Sequence, residues 1–194
     1  MFIKSTKFER LIKEAYNDGR LHIGSEDGMF LASGAGWSIA MDEDLMPKEM
    51  KAAVIKYVGY MPGDGCYYLA LPDGDQTEVP GSYVGKVKTK NHGYAELTRL
   101  AYRIGKETYY IGQAVDESRS FMVKGSLVEM IDKTAIEDYD GETDLNGPFI
   151  DFPGNQMIVE NDRMQMRLFL LRPEAAEAEL LDFLEERDLN SFGE

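Results

Sequence analysis

The side chains that most often carry catalysis or bind metals are scarce in this chain. It has two histidines, His22 and His92, and a single cysteine, Cys66, all far apart in the sequence. Zinc sites need several histidine or cysteine ligands at short spacing, and a hydrolytic serine needs a Gly-x-Ser-x-Gly turn, which the chain lacks. We therefore predict no metal site and no set of catalytic residues, and the sequence favours a protein that is not an enzyme.

Two other patterns resemble ligand sites but fail on spacing. Acids alternate from Asp138 to Asp144 as they do in a calcium-binding loop. An EF-hand loop requires Gly at its sixth position and Glu at its twelfth, whereas a loop starting at Asp138 has Thr143 and Phe149 there. The glycines form neither the Gly-x-Gly-x-x-Gly pattern nor the Gly-Lys-Ser/Thr pattern that cradles phosphates, so we predict no cofactor.

Residues 83–110 combine basic and aromatic side chains, and Glu96 is the only acid between residues 83 and 106. Basic groups contact phosphates and aromatic rings stack on bases, so this composition is typical of surfaces that bind RNA. The alternation of three lysines predicts that they share one face of a strand. The nucleic-acid-binding residues of this alternative interpretation are Lys86, Lys88, Lys90, Arg99, Arg103, Tyr94 and Tyr102. If the protein cleaved RNA, His92 or a nearby tyrosine would assist proton transfer; the same bases also suit a role in balancing the protein's own acids.

The net charge of −14 is concentrated in two blocks. Residues 134–162 hold eight acids and neither Lys nor Arg, and residues 174–194 hold eight acids and one base. A charge of this sign repels nucleic acid and favours a basic partner, although a solvated loop or helix face has the same composition. The partner-binding residues predicted on this basis are Glu137, Asp138, Asp140, Glu142, Asp144, Glu177, Asp182, Glu185 and Glu186.

The hydrophobic pattern predicts the elements that position these residues. Apolar residues recur at helical spacing over residues 6–16, namely Phe8, Leu11, Ile12 and Ala15. In the last predicted helix the buried stripe is Ala176, Leu180, Phe183 and Leu184. This last helix is predicted over residues 173–189, and two more helices are predicted over residues 48–58 and 125–134. The predicted strands cover residues 1–4, 29–31, 37–41, 66–71, 94–104, 107–115, 120–123, 149–152, 157–160 and 166–171. The longest apolar run has six residues, 66–71, whereas a membrane helix needs roughly 20, so we expect a soluble, cytoplasmic protein with no membrane partner.

Segments 2–12 and 121–131 align without gaps, and each strongly apolar position of the first has an apolar partner in the second. Each segment heads a strand, an amphipathic helix and a later β-hairpin, which indicates an internal repeat, although such units also recur by chance in α+β proteins. The charge changes sign near residue 84. We therefore predict an α+β fold, with antiparallel strands and amphipathic helices in two small lobes, over residues 1–83 and 84–194.

The strand–helix–hairpin units resemble the lobes of sliding clamps, and residues 157–171 are similar to the closing hairpin of such a lobe. The chain is shorter than a three-lobe clamp subunit, and it lacks the basic inner helices that surround DNA. The clamp-like interpretation implies an architectural protein that forms ring-sized homo-oligomers; the sequence itself does not predict the oligomeric state.

The opening residues 2–16 and the helix that begins after Pro47 also resemble small acidic proteins of phages and mobile elements in Gram-positive bacteria. Some of these are anti-CRISPR proteins that act on Cas9. The resemblance covers residues 1–65 and fixes no functional residue. It implies an accessory protein that binds and inhibits a nucleic-acid-handling host protein, such as Cas9 or its guide RNA complex, and this is the leading interpretation.

Overall fold

A computed structural model of the chain describes residues 1–80, 85–90, 92–116, 119–139, 144–187 and 189, except the side chains of 137–139. The described residues form helices and antiparallel strands, so the predicted α+β class is confirmed. Contacts between residues divide the chain into two compact units. Unit 1 comprises Met1–Val87, Met130–Leu145 and Glu160–Met166, and unit 2 comprises Lys88–Glu129, Asn146–Val159 and Arg167–Glu194. The predicted lobe boundary after residue 83 stays a prediction, because a grouping by contacts does not test whether residues 1–83 fold on their own.

Unit 1 contains five strands hydrogen-bonded in antiparallel order, with helices beside them. Its elements are α1 (Ser5–Asn17), β1 (Leu21–Glu26), β2 (Met29–Gly34), β3 (Trp37–Asp42), α2 (Lys48–Val58), β4 (Tyr67–Ala70), β5 (Gln76–Glu78) and α4 (Thr134–Tyr139). The strand order is β5-β4-β1-β2-β3. The predicted stripe of α1 is confirmed, since its four apolar members are buried: Phe8, Leu11, Ile12 and Ala15.

Strand β1 is not predicted by the sequence pattern, because Gly24 and Ser25 interrupt its apolar residues. The tertiary structure accounts for both. A Cβ at Gly24 would overlap the Tyr67 ring of the neighbouring strand β4, so only glycine fits there. Ser25 is buried, and its hydroxyl donates a hydrogen bond to Glu43 Oε2 at 3.2 Å. The interruption of the pattern therefore reflects close packing in the sheet.

Residues 1–4 form no strand, contrary to the prediction. Met1, Phe2 and Ile3 are fully buried. The carbonyl oxygen of Phe2 accepts a hydrogen bond from the backbone N–H of Asp132 at 2.8 Å. This segment is therefore held by burial and by a contact with residues 130–145, and not by pairing in a sheet.

The single helix predicted over residues 125–134 is also wrong. Helix α3 (Gly125–Val128) ends after one turn, and α4 begins at Thr134. Between them, the Asp132 carboxylate accepts hydrogen bonds from the N–H and hydroxyl of Thr134 at 3.1 and 2.7 Å, and such local bonds compete with a continuous helix. The same carboxylate lies 3.3 Å from Lys7 Nζ, so it connects α1 to the start of α4. The two segments proposed as a repeat thus carry helices of 13 and 4 residues.

Unit 2 is organised around an antiparallel meander, as predicted. Its elements are β6 (Gly93–Ile104), β7 (Glu107–Ala114), β8 (Ser120–Lys124), α3, β9 (Asn146–Asp151), α5 (Ala175–Glu185) and most of the hairpin formed by β10 (Gln156–Asn161) and β11 (Met164–Phe169). The strand order is β11-β10-β9-β6-β7-β8. Strand β6 has an irregularity in its pairing with β7 between Leu97 and Ala101.

Helix α5 packs on unit 2 through only part of the predicted stripe, because Leu184 is buried and Leu180 packs on the same cluster, whereas Ala176 is exposed. Leu181 and Leu184 are buried against Ile111 of β7 and Met122 of β8. Phe183, which the stripe placed in the core, is 53% exposed. Because α5 contacts the sheet with one side only, on which Leu181 and Leu184 lie, Phe183 points outward. None of the helices in the described part of the chain is long and apolar enough to cross a membrane.

We expect Leu184→Ala to lower the free energy of unfolding by roughly 2–4 kcal/mol, because the change removes buried atoms and leaves a cavity. Phe183→Ala is the matched control, and because this ring is exposed we expect a change below about 1 kcal/mol. Urea unfolding followed by circular dichroism measures both values. Equal losses for the two variants would contradict this placement of α5.

A second prediction concerns the pH dependence of stability. The hydrogen bond from Thr134, together with one from Lys7, lowers the pKa of Asp132. A lowered carboxyl pKa stabilises the fold above the unfolded-state value of about 3.9, and this stabilisation is lost as the pH falls through the folded-state value. Asp132→Asn should therefore reduce stability at neutral pH and flatten its decline below about pH 4. The exposed Asp162→Asn variant is the control, and an unchanged pH profile in Asp132→Asn would contradict the prediction.

Candidate functional site

Helix α5 carries four of the predicted partner-binding acids, and two of these have contacts within the fold. At the start of the helix, the N–H of Glu174 donates to Glu177 Oε2 at 3.1 Å. Near its end, Glu185 Oε1 accepts a hydrogen bond from the backbone N–H of Ser120 at 3.1 Å. Glu177 thus closes the first turn of the helix, and Glu185 connects α5 to β8.

The side chain of Gln113 provides a second polar connection to the end of α5. Its Nε2 donates to the carbonyl oxygen of Arg187 at 2.9 Å, and its Oε1 accepts from the N–H of Leu189 at 3.0 Å. Gln113 itself is buried in β7. Because the amide bonds the chain beyond α5 at two points, it fixes which side of the helix faces the sheet.

The opposite side of α5 is exposed, and we call it the acidic α5 face; it consists of Glu179, Asp182, Phe183 and Glu186. Spacings of three and four residues place these side chains on one side of a helix. Among the described residues, no ion pair reaches the three carboxylates. The Phe183 ring lies at their centre, with the Arg187 guanidinium 4.5 Å from the ring centroid. The face therefore combines three exposed carboxylates, one cation and an exposed aromatic ring.

The other predicted acidic set belongs to residues 137–144. Glu137 and Asp138 lie in α4, but their side chains are not described, and Asp140 and Glu142 lie outside the described residues. Asp144 is described and exposed in unit 1. Among the described side chains, this set therefore contributes one exposed carboxylate, whereas the acidic α5 face has three.

The lysines of the basic segment do not lie on a strand, which corrects the prediction made from their alternation. Residues 85–90 form no strand, Lys90 lies in a turn, and Lys86, Lys88 and Lys90 are all exposed. The backbone of Val87 instead bonds the side-chain amide of Gln165, with both N···O distances 2.8 Å. The Gln165 side chain thus takes the place of a neighbouring strand in bonding this backbone, and the three lysines belong to no face of a sheet.

The remaining predicted nucleic-acid-binding residues occupy different parts of β6. Arg99 is exposed at the irregularity in the strand, and Arg103 is exposed near its end, where its Nε donates to the carbonyl oxygen of Gly105 at 3.2 Å. Tyr102 packs against the core cluster under α5. Tyr94 is 58% exposed at the beginning of the strand. Tyr83 lies outside the described residues. The predicted set therefore does not form one surface within β6.

The second candidate is a pocket of about 850 Å³ in unit 2, which we call the strand-end pocket. It lies where β6 begins and where β7 and β9 end, so residues distant in sequence meet there. Its charged and aromatic lining includes Lys90, His92, Tyr94, Asp116, Arg119 and Asp151. Antiparallel pairing brings these strand ends together, and only two of the predicted nucleic-acid-binding residues, Lys90 and Tyr94, are among them.

His92 has a carboxylate beside it that the sequence does not reveal. Its Nε2 lies 3.9 Å from Asp151 Oδ2, and its side chain is 18% exposed. Its Nδ1 is buried and has no hydrogen-bond partner among the described protein atoms. Asp151 also accepts hydrogen bonds from the N–H of Gly154 at 3.0 Å and from Gln156 Nε2 at 2.8 Å. The fold therefore places a carboxylate near the histidine of the RNA-cleaving interpretation, at a distance of 3.9 Å that exceeds a hydrogen-bond length.

Arg119 is the functional candidate that sequence reasoning missed. It follows the turn after β7, and its guanidinium lies 4.1 Å from the centroid of the Phe152 ring. Stacking of a guanidinium on an aromatic face leaves its N–H groups available at the ring edge. Nothing in the sequence near Arg119 signals this role, because Phe152 comes from the end of β9.

The structure shows no metal centre among its described residues: no group of three or more His, Cys, Asp or Glu side chains there could hold an ion. Cys66 is a free, partly buried thiol.

Comparisons with known proteins give likenesses of fold only. No protein-family model matches the chain, and no curated protein matches it. Among solved structures, a candidate DNA polymerase III beta subunit from Eubacterium rectale is 10% identical, with a TM-score of 0.39, and the match covers 90% of this chain and 64% of that one. A DNA polymerase sliding clamp from Pseudomonas aeruginosa is 7% identical, with a TM-score of 0.34, covering 92% of this chain and 66% of that one. The chain thus spans less than two thirds of either protein, and similarity at this level assigns it no activity.

We expect Glu185→Ala to lower the free energy of unfolding by roughly 1–3 kcal/mol, because the N–H of the buried Ser120 loses its acceptor. Glu185→Gln retains a side-chain oxygen and should lose less. The exposed neighbour Glu186→Ala is the control and should leave the urea midpoint unchanged. A Glu185→Ala variant as stable as the wild type would contradict the structural role of this carboxylate.

Proposed function

We propose that this protein is a non-catalytic binding protein whose acidic α5 face docks in the basic groove of a nucleic-acid-handling protein and inhibits it. The observation that carries the proposal is the exposed ring of Phe183 among the unpaired carboxylates of Glu179, Asp182 and Glu186. Protein interfaces commonly have an aromatic anchor at the centre and a polar rim around it. The carboxylates suit a partner whose surface is rich in Lys and Arg.

Local stability does not account for these three acids. Like charges at helical spacings of three and four residues repel by a few tenths of a kcal/mol each, by the reverse of the roughly 0.2–0.5 kcal/mol that opposite charges contribute. Glu186 lies at the C-terminal end of α5, where the helix dipole disfavours a negative charge. In a complex, the same charges attract a basic groove over long range and raise the association rate.

The resemblance of residues 1–65 to small acidic phage proteins makes Cas9, alone or with its guide RNA, the first partner to test. A partner of this kind would place the protein in the cytoplasm of a bacterial cell. Inhibition would follow if the acidic α5 face occupied a groove that otherwise holds DNA or guide RNA. The binding should weaken as salt rises, because exposed charges are screened beyond roughly 8–10 Å at physiological ionic strength.

The test is a binding measurement with a charge-matched control. The variant Glu179→Gln/Asp182→Asn/Glu186→Gln removes three charges from the acidic α5 face and should weaken binding to Cas9 by at least about tenfold, since charged rims contribute mainly through association. The control Glu49→Gln/Asp73→Asn/Glu78→Gln removes three exposed charges from unit 1 and should bind like the wild type. Phe183→Ala should weaken binding without lowering stability.

Three results would contradict the proposal. The first is no binding to Cas9, with or without guide RNA, at low salt. The second is an equal loss of binding in both triple variants, because net charge and not one face would then be responsible. The third is support for one of the other interpretations. Ring-sized homo-oligomers in light scattering would favour the clamp-like interpretation, and RNA cleavage that His92→Ala abolishes would favour the RNA-cleaving one.

A further inference from the structure

The strand-end pocket presents two cationic side chains that the described protein leaves without an acidic partner. Lys90 is exposed and forms no ion pair within the described residues. Arg119 is likewise exposed, and its recorded contact is with the Phe152 ring at 4.1 Å. A guanidinium whose face is used for stacking still offers N–H donors in the plane, the arrangement that suits phosphate oxygens. Both side chains line the pocket, so an anionic group bound there would have two cations available to it.

An aromatic wall stands beside this pair of cations. Tyr94 lines the same pocket and is 58% exposed. Phe149 lies beside its ring, with the ring centroids 4.9 Å apart and the ring planes tilted by 43°. An exposed ring held by a second ring is a suitable surface for stacking a nucleobase. The 850 Å³ of the pocket falls within the roughly 300–1,000 Å³ of small-molecule sites.

The two carboxylates of the pocket argue against a simple phosphate site. Asp151 is committed to the protein through the N–H of Gly154 and the amide of Gln156. Asp116 is exposed, and its Oδ2 lies beside Gly93, within 3.8 Å of the position that a Cβ would take there. Gly93 and Asp116 both line the pocket, so this acceptor is available there. A bare anion would be repelled by it, whereas hydroxyl groups would donate to it.

We propose that the strand-end pocket binds a nucleoside phosphate, with the phosphate on Lys90 and Arg119, the ribose hydroxyls facing Asp116 and the base on Tyr94. The ligand is either a free nucleotide or the terminal nucleotide of a single-stranded RNA, since both have this chemistry. The site is separate from the acidic α5 face and requires no partner protein. It explains why cations, a carboxylate and an exposed ring meet at one end of the sheet.

The experiment measures binding of two probes to the full-length protein: AMP by isothermal titration calorimetry, and a 5′-phosphorylated single-stranded RNA hexamer by fluorescence anisotropy. Both should bind, and AMP should displace the RNA. Inorganic phosphate at the same concentration should not displace it. Tighter binding of the hexamer than of AMP identifies an RNA end as the ligand, whereas equal binding identifies a free nucleotide; both results support the site.

Substitutions then assign the binding to the pocket. Arg119→Ala and Lys90→Ala should each weaken binding by about tenfold, the loss typical of one charge-assisted contact. Tyr94→Ala should weaken it similarly, and Tyr94→Phe should restore it because the phenyl ring still stacks. Lys106→Ala removes an exposed cation of unit 2 outside the pocket and is the matched control. Melting temperatures of all variants verify that they are folded.

The proposal is overturned if neither probe binds at millimolar concentration. It is also overturned if inorganic phosphate displaces the RNA as well as AMP does, because the site would then recognise only an anion. Binding that Arg119→Ala and Tyr94→Ala leave unchanged would place the ligand elsewhere. None of these outcomes bears on the acidic α5 face, so this test and the test with Cas9 fail independently.

Discussion

Strand β7 is hydrogen-bonded to β6 on one side and to β8 on the other, and both candidate sites of unit 2 depend on this double pairing. In its middle, Ile111 faces α5 together with Met122 of β8. At its end, Ala114 lines the strand-end pocket. Gly112 lies so close to Phe121 that a Cβ would overlap the ring, so the two strands tolerate little change of register. The platform on which α5 packs, at Ile111, and one wall of the strand-end pocket, at Ala114, thus belong to the same strand, which is paired on both sides.

Because this platform fixes the rotation of α5, it also divides the acids of the helix into two classes. Glu185 is directed toward β8 and satisfies the N–H of Ser120, so its charge serves the fold. Glu179, Asp182 and Glu186 are directed to solvent and form no ion pair among the described residues, although Arg187 lies on the neighbouring Phe183 ring. The first class contributes to stability, and the second slightly opposes it. Such a division is the physical basis for assigning a binding role to one face of the helix.

The strand-end pocket follows a different principle. Strand ends and turns bring polar side chains from several segments to one place without burying them in the core, which is why binding residues are frequent there. The sheet fixes the direction in which each segment leaves it, and the contacts of Asp151 with Gly154 and Gln156 fix one wall. The acidic protein, with a net charge of −14, thereby places two cations, Lys90 and Arg119, in one pocket.

The α+β class, the amphipathic helix α1 and the meander of β6, β7 and β8 follow from the sequence alone, because local periodicity and turn residues specify such elements. The sequence also identified the acidic block of α5, since charge is a property of composition. Packing in three dimensions was needed to establish that Leu181 is buried and Phe183 exposed, and that the lysines of residues 86–90 lie outside any strand. In both cases the outcome depends on a partner distant in sequence, namely β7 and β8 for the helix and Gln165 for the lysines. The meeting of His92 with Asp151, and of Arg119 with Phe152, is likewise a consequence of strand pairing that no local pattern records.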